Sequence, residues 1–258
     1  MKKAIARIIS IAIHKGGTGK TVTAINLGAG LAREGKRTLI VDLDPQGNCA
    51  LGLGVEIAEG DLTLRDFFAE PGTFHLKRVI KDTAIENLSI APSTIRLAPV
   101  AQALFGRPKR EEILKRGLSP IEKDFDYILI DCPPTLGPMT ECGITAAHLV
   151  IIPCRMEARA ADALVDLLDL ITTLKGDGFN EYRILINQFD TRTSVTNEVV
   201  MTQLEPWKGS FLSTIIPHNE ALNQAQIEGS DIFTFDPKSK GASAYDELTK
   251  EILEYGNK

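Results

Sequence analysis

His14-Lys15-Gly16-Gly17-Thr18-Gly19-Lys20-Thr21 decides how the rest of the chain is read. The apolar run Ile8-Ile9-Ser10-Ile11-Ala12-Ile13 precedes it, and a helical pattern from Val22 to Arg33 follows. Strand, glycine loop and helix, in that order, let consecutive backbone N–H groups and a helix N-terminus surround a polyphosphate. Gly16, Gly17 and Gly19 permit backbone angles and a close approach that a Cβ would forbid. Lys20 is placed to reach β- and γ-phosphates, and the Thr21 hydroxyl to ligate Mg²⁺. The common pattern G-x-x-x-x-G-K-[ST] fails at its first position, His14; K-G-G-x-G-K-T stands instead, with a second lysine, Lys15. The competing reading, a glycine turn with two solvated lysines, does not account for the flanking strand and helix.

Working outward, 258 residues allow one large α/β domain or two small ones, and 43% hydrophobic with 24% charged residues is ordinary for a globular chain. The net charge of −5 offers no global basic field for nucleic acid, so any such surface has to be a local patch. Cys49, Cys132, Cys142 and Cys154 form no C-x-x-C pair, and the four histidines are scattered. Reduced, buried thiols in a cytoplasmic protein are the expectation. No apolar run approaches the ~18–20 residues of a membrane span. Met1-Lys2-Lys3 imitates a signal-peptide opening, but its apolar run breaks at Arg7.

Short β-branched runs predict buried strands at Ile8–Ile13, Thr38–Leu43, Leu88–Ala91, Tyr127–Ile130, Leu149–Ile152, Arg183–Ile186 and Phe211–Ile216. Helical spacing lies between them, at Ala24–Arg33, Glu111–Arg116, Ala160–Leu174, Asn197–Leu204 and Ala244–Tyr255. The alternation predicts an α/β fold: one doubly wound, mostly parallel sheet with helices on both faces, forming a single domain over 1–258. Leu51–Thr83 is the least regular stretch. Polar residues cluster just after the strands, where ligands of open α/β sheets bind. Asp131 ends the fourth predicted strand, a position from which a carboxylate can hold Mg²⁺ or its waters. Pro133-Pro134-Thr135-Leu136-Gly137 then forms a stiff turn suited to sensing a γ-phosphate. Asp42 and Asp44 share one side of the second strand, and Asp44, further out, can orient an attacking water.

With these residues laid out, the loop resembles the deviant Walker A loop of the ParA/MinD ATPases, and V-D-L-D-P-Q-G-N at 41–48 resembles the switch element of the ParA/Soj partition ATPases. The likeness extends to D-Y-I-L-I-D-C-P-P at 126–134, I-N-Q-F-D at 186–190, I-I-P-H-N at 215–219 and F-D-P-K-S-K-G-A-x-A-Y at 235–245. It implies an ATPase using ATP and Mg²⁺, with a P-loop fold. Thr21 and Asp131 would be at the metal, Lys15, Lys20 and Asp44 in catalysis, and residues 15–21 with Asn187 and Pro217 around the nucleotide. It further implies an ATP-dependent homodimer in which Lys15 reaches the partner's phosphates, a ParB-like or cargo-adaptor partner, and non-specific binding to nucleoid DNA. Because the chain starts almost at its first strand, it is expected to lack the DNA-reading domain of the larger plasmid members.

Two departures stand out. Val22 replaces a frequent threonine, and the family's I-P-R-N-x-R-L reads Ile216-Pro217-His218-Asn219-Glu220-Ala221-Leu222, without either arginine. Arg192, Lys208, Lys238 and Lys240 remain as candidate DNA contacts. A MinD-like membrane-cycling ATPase is an alternative that needs a basic amphipathic C-terminal helix, whereas 246–255 is acid-rich. A metabolic enzyme on the same P-loop, such as an iron-protein-like reductase using Cys132 and Cys154, is the other. Glu157 is left outside the site, since helix capping explains it equally well.

Overall fold

Neighbouring strand residues diverge to two different cores in the computed structural model, which describes residues 5–255. Ile8, Ile128, Ile130, Val150 and Ile152 enter one cluster, while Ile9, Ile11, Leu129, Leu149 and Ile151 enter the other. A strand covered on both faces has no polar side to show, which is why these segments read as unbroken apolar runs.

The strands are β1 (Arg7–Ile11), β2 (Thr38–Asp42), β3 (Lys81–Asp82), β4 (Leu88–Ala91), β5 (Tyr127–Asp131), β6 (Leu149–Cys154), β7 (Tyr182–Phe189) and β8 (Phe211–Pro217). They form one eight-stranded sheet in the order β3-β4-β2-β5-β1-β6-β7-β8, parallel except for β3 against β4. The helices are α1 (Lys20–Arg33), α2 (Asn48–Gly52), α3 (Leu64–Ala69), α4 (Leu97–Ala103), α5 (Ile113–Leu118), α6 (Pro138–Ala146), α7 (Ala160–Lys175), α8 (Ser194–Leu204), α9 (Glu220–Ile227), α10 (Ile232–Phe235) and α11 (Lys240–Tyr255). Leu27 and Leu31 of α1, Leu222 of α9 and Tyr245 of α11 cover one face. Phe67 of α3, Ile113 of α5, Met139 of α6 and Leu164 of α7 cover the other.

Three differences from the sequence expectation have local causes. β1 stops at Ile11, where Ala12 turns its N–H to the Ile151 carbonyl at 3.0 Å and the chain enters the loop. β3 is two polar residues long and has no apolar alternation to betray it. β7 runs to Phe189, so Asn187 and Gln188 lie inside a strand rather than after one. The Met1-Lys2-Lys3 opening lies outside the described residues.

Helix α11 is docked rather than presented. Tyr245, Leu248 and Ile252 are buried, the Tyr245 hydroxyl lies 3.2 Å from Thr23 Oγ1, and the Glu251 carboxylate accepts from the Ser213 and Thr214 amides at 2.6 and 2.9 Å. Its apolar face is therefore spent on α1 and β8. Among the described residues no helix is long and apolar enough to cross a membrane.

Candidate functional site

Strand β1 sits between β5 and β6, so the loop after it opens at the crevice where the strand order reverses. Gly17 and Gly19 take φ of 70° and 85°, left-handed values that disfavour any residue with a Cβ. Gly19 is also the residue before α1, which has no side-chain cap and no acidic residue in its first turn. Its first N–H groups consequently remain available to an anion. The loop is braced from β7: Asn187 Nδ2 donates to the Thr18 carbonyl at 2.9 Å, and Gln188 Nε2 to the Gly17 carbonyl at 3.2 Å. A Cβ on Gly19 would collide with the Asn187 amide. Asn187 thus supports the loop from behind, a role its sequence position did not disclose.

Lys20 is buried, donates to the Lys15 carbonyl at 2.9 Å, and is held below the ordinary lysine pKa by burial, against the pull of Asp131. The Thr21 hydroxyl donates to Asp131 Oδ2 at 2.7 Å. Asp42 and Asp131 are register partners on adjacent strands and both are fully buried. Burial raises the Asp131 carboxyl to about 6. Burial, followed by the Asp131 charge, raises Asp42 well above the carboxylate range. Asp42 is fixed by the amides of Asp44 and Cys49, each at 3.1 Å. The Cys49 thiol donates to Asp131 Oδ2 at 3.3 Å. Asp131 Oδ1 is buried without a hydrogen-bond partner. An orphaned carboxylate oxygen beside a second buried carboxylate is what a divalent cation would satisfy. Asp44 stands at the outer edge, 9% exposed, with its carboxylate accepting from the Gln46 amide at 2.9 Å.

Lys15 points elsewhere. Its ammonium donates to the Ala158 carbonyl at 2.8 Å and pairs with Glu157 at 3.0 Å. Arg155 joins the same cluster, 3.8 Å from Glu157 and 3.5 Å from the Gly17 carbonyl. Sequence reasoning set Glu157 aside; the structure makes it the partner of the second loop lysine. Pro217 closes β8 opposite Phe189, and a small cleft there is lined by Gly19, Val22, Asn187, Gln188, Pro217 and His218. Cys132 and Cys154 are buried thiols pushed up to about 12 and about 11 by that burial, so neither is presented for a cluster shared with a second subunit.

A family profile described as an AAA domain matches residues 6–186. The sporulation initiation inhibitor protein Soj of Bacillus subtilis is 38% identical over 98% of this chain and 100% of its own length. The chromosome-partitioning ATPase Soj of Treponema pallidum is 40% identical, covering 93% of this chain and 94% of its own. The chain belongs to the ParA/Soj family of partition ATPases. It is a partitioning or positioning ATPase on an α/β P-loop scaffold. Among solved structures, Mycobacterium smegmatis cobyrinic acid a,c-diamide synthase with bound ATP analogue and magnesium is similar, with a TM-score of 0.82 and 30% identity over 98% of this chain and 96% of that one.

Proposed function

We propose that this chain moves or positions a cargo by cycling between a monomer and an ATP-bound dimer that holds DNA without sequence preference. The observation that carries the reading is the state of Lys15. Its loop belongs to the phosphate cradle, yet its ammonium is tied to Glu157 and the Ala158 carbonyl outside that cradle. A half-exposed ion pair of this kind is worth about 0–1 kcal/mol, so exchanging it for a nucleotide phosphate across a dimer interface costs little.

ATP is held by the Gly16, Gly17, Thr18 and Gly19 backbone, with its base in the cleft beside Asn187 and Pro217. Lys20 is the cation at the β- and γ-phosphates, and its burial keeps water from screening it. Thr21 and Asp131 hold Mg²⁺, whose bound charge offsets that of the phosphates. Asp44 orients the attacking water. Lys15 of the second copy supplies positive charge at the transferring phosphoryl group, a contribution of about 10³–10⁵ in rate where such fingers are known. Hydrolysis, stimulated by a ParB-like or adaptor protein, removes the phosphate and lets Lys15 return to Glu157.

The basic residues available to contact DNA are few. Arg192 is bound to Asp190 at 2.7 Å and Lys208 to Glu205 at 3.0 Å, while Lys238 and Lys240 carry no ion pair among the described residues. Few phosphates are then neutralised per subunit, and the salt dependence is shallow. Fluorescence anisotropy on random-sequence duplex tests this. Binding with ATP, none with ADP, and a loss well short of the ~10³–10⁵ expected for 6–10 contacts between 50 and 200 mM salt are the predicted results. Absence of ATP-dependent binding at 50 mM salt refutes DNA as the matrix.

A further inference from the structure

A cavity of about 520 Å³ lies between α3, the segment 71–77 and α5 with the turn that follows it. That turn leads directly into Tyr127, the first residue of β5, so the cavity is at the amino-terminal end of the sheet. The phosphate loop is at the carboxyl end, and nothing assigned above uses this space. Its volume falls within the ~300–1,000 Å³ of small-ligand sites.

The floor is apolar: Phe67, Leu76, Ile113 and Ile121 are buried beneath it, and half-buried Phe74 forms a side. Gly117 lines the α5 wall, where an added Cβ would run into the Phe67 ring. With glycine there the ring stays seated against α5; a larger residue would drive it out of its place. Phe74 is stacked by the Arg78 guanidinium at 4.6 Å from its centroid, which anchors that side.

The mouth has the opposite character. His75, Lys77, Arg107 and Arg116 are exposed around it, with one carboxylate, Asp124, held by Lys77 at 2.9 Å. Arg107 has no ion-pair partner among the described residues. Arg116 reaches Glu112 only at 4.0 Å and donates to the Lys109 carbonyl at 3.3 Å. In a chain of net charge −5 this is a local reversal of sign. Cations with unspent donors above an apolar floor complement an anion carried on an apolar body.

We propose that this cavity binds a small amphiphilic anion, a carboxylate or phosphate ester on a hydrocarbon or aromatic body, with its head group between Arg107 and Arg116. The site is remote from the phosphate loop, so the proposal stands or falls independently of the nucleotide cycle. Isothermal titration of the full chain with decanoate, decyl phosphate and decyltrimethylammonium tests it. The expected result is one site for each anion and none for the cation, with the tighter anion naming the head group. Arg107→Ala/Arg116→Ala removes two exposed side chains, so it should keep the melting temperature and weaken the anions roughly tenfold or more. No anion binding at millimolar concentration, equal binding of the cation, or undiminished affinity in the double variant would each overturn the assignment.

Discussion

Replacing Asn187 by alanine should loosen the phosphate loop without touching a phosphate. Asn187 is 2% exposed, and its amide donates to the Thr18 carbonyl at 2.9 Å while its carbonyl accepts from the Gln188 amide at 2.8 Å. Alanine leaves both backbone groups without those partners, and Gln188 keeps its left-handed φ of 54° with no local bond to compensate. Each such group left unsatisfied costs about 1–3 kcal/mol, so the loss for the two is about 2–6 kcal/mol. For a domain of this size each kcal/mol moves the melting temperature by about 2–4 °C, which gives a fall of roughly 4–24 °C. Circular dichroism melts measure the stability, and titration with a fluorescent ATP analogue measures the loop; its Kd should rise roughly tenfold as the Thr18 carbonyl drifts. Asn187→Asp separates the two bonds, since it keeps the acceptor for Gln188 but sets a carboxylate against the Thr18 carbonyl. It should lose nucleotide affinity at least as severely as alanine. An alanine variant with wild-type melting and wild-type nucleotide affinity would refute the bracing role.

Two more outcomes follow from the same site. Glu157→Gln removes the charge partner of a lysine that is 30% exposed, so stability should change by less than about 1 kcal/mol while half-maximal dimerisation by sedimentation shifts to lower ATP; an unchanged or higher ATP requirement contradicts the proposed exchange of Glu157 for a phosphate at Lys15. Asp131 has its carboxyl raised by burial to about 6, so the nucleotide-free fold takes up a proton that the unfolded chain, with an ordinary aspartate, does not. Its ionisation penalty is accordingly full above pH 6, and is relieved as pH falls through about 6 toward the unfolded value near 4. Asp131→Asn should therefore raise the melting temperature of the nucleotide-free protein at pH 7.5 and lose that advantage near pH 4.5; a pH-independent difference contradicts the assignment.

Much of this was legible in the chain itself, and the residues explain why. Strands buried on both faces announce themselves as β-branched runs, and polar residues at their tips, Asp44 and Asp131 among them, stand out against that background. Residues serving through distant contacts gave no such signal. Glu157 meets Lys15 only because β6 lies beside β1, a pairing no local pattern encodes. Cys49 resembled any buried thiol until the fold set it against Asp131. Asn187 matched a family motif, but its hold on the loop depends on the extension of β7 past Ile186. The basic-rimmed cavity draws its walls from 67 to 124 and has no sequence signature at all.

The central claim is that ATP joins two copies through Lys15. Sedimentation of Asp44→Ala with ATP and Mg²⁺ tests it most directly, because impaired hydrolysis should hold the complex together. The account predicts a stable dimer with ATP, a monomer with ADP or after chelation of Mg²⁺, and a monomer under all conditions once Lys15→Ala is added. A dimer that survives Lys15→Ala, or a monomer with ATP in both variants, would contradict it.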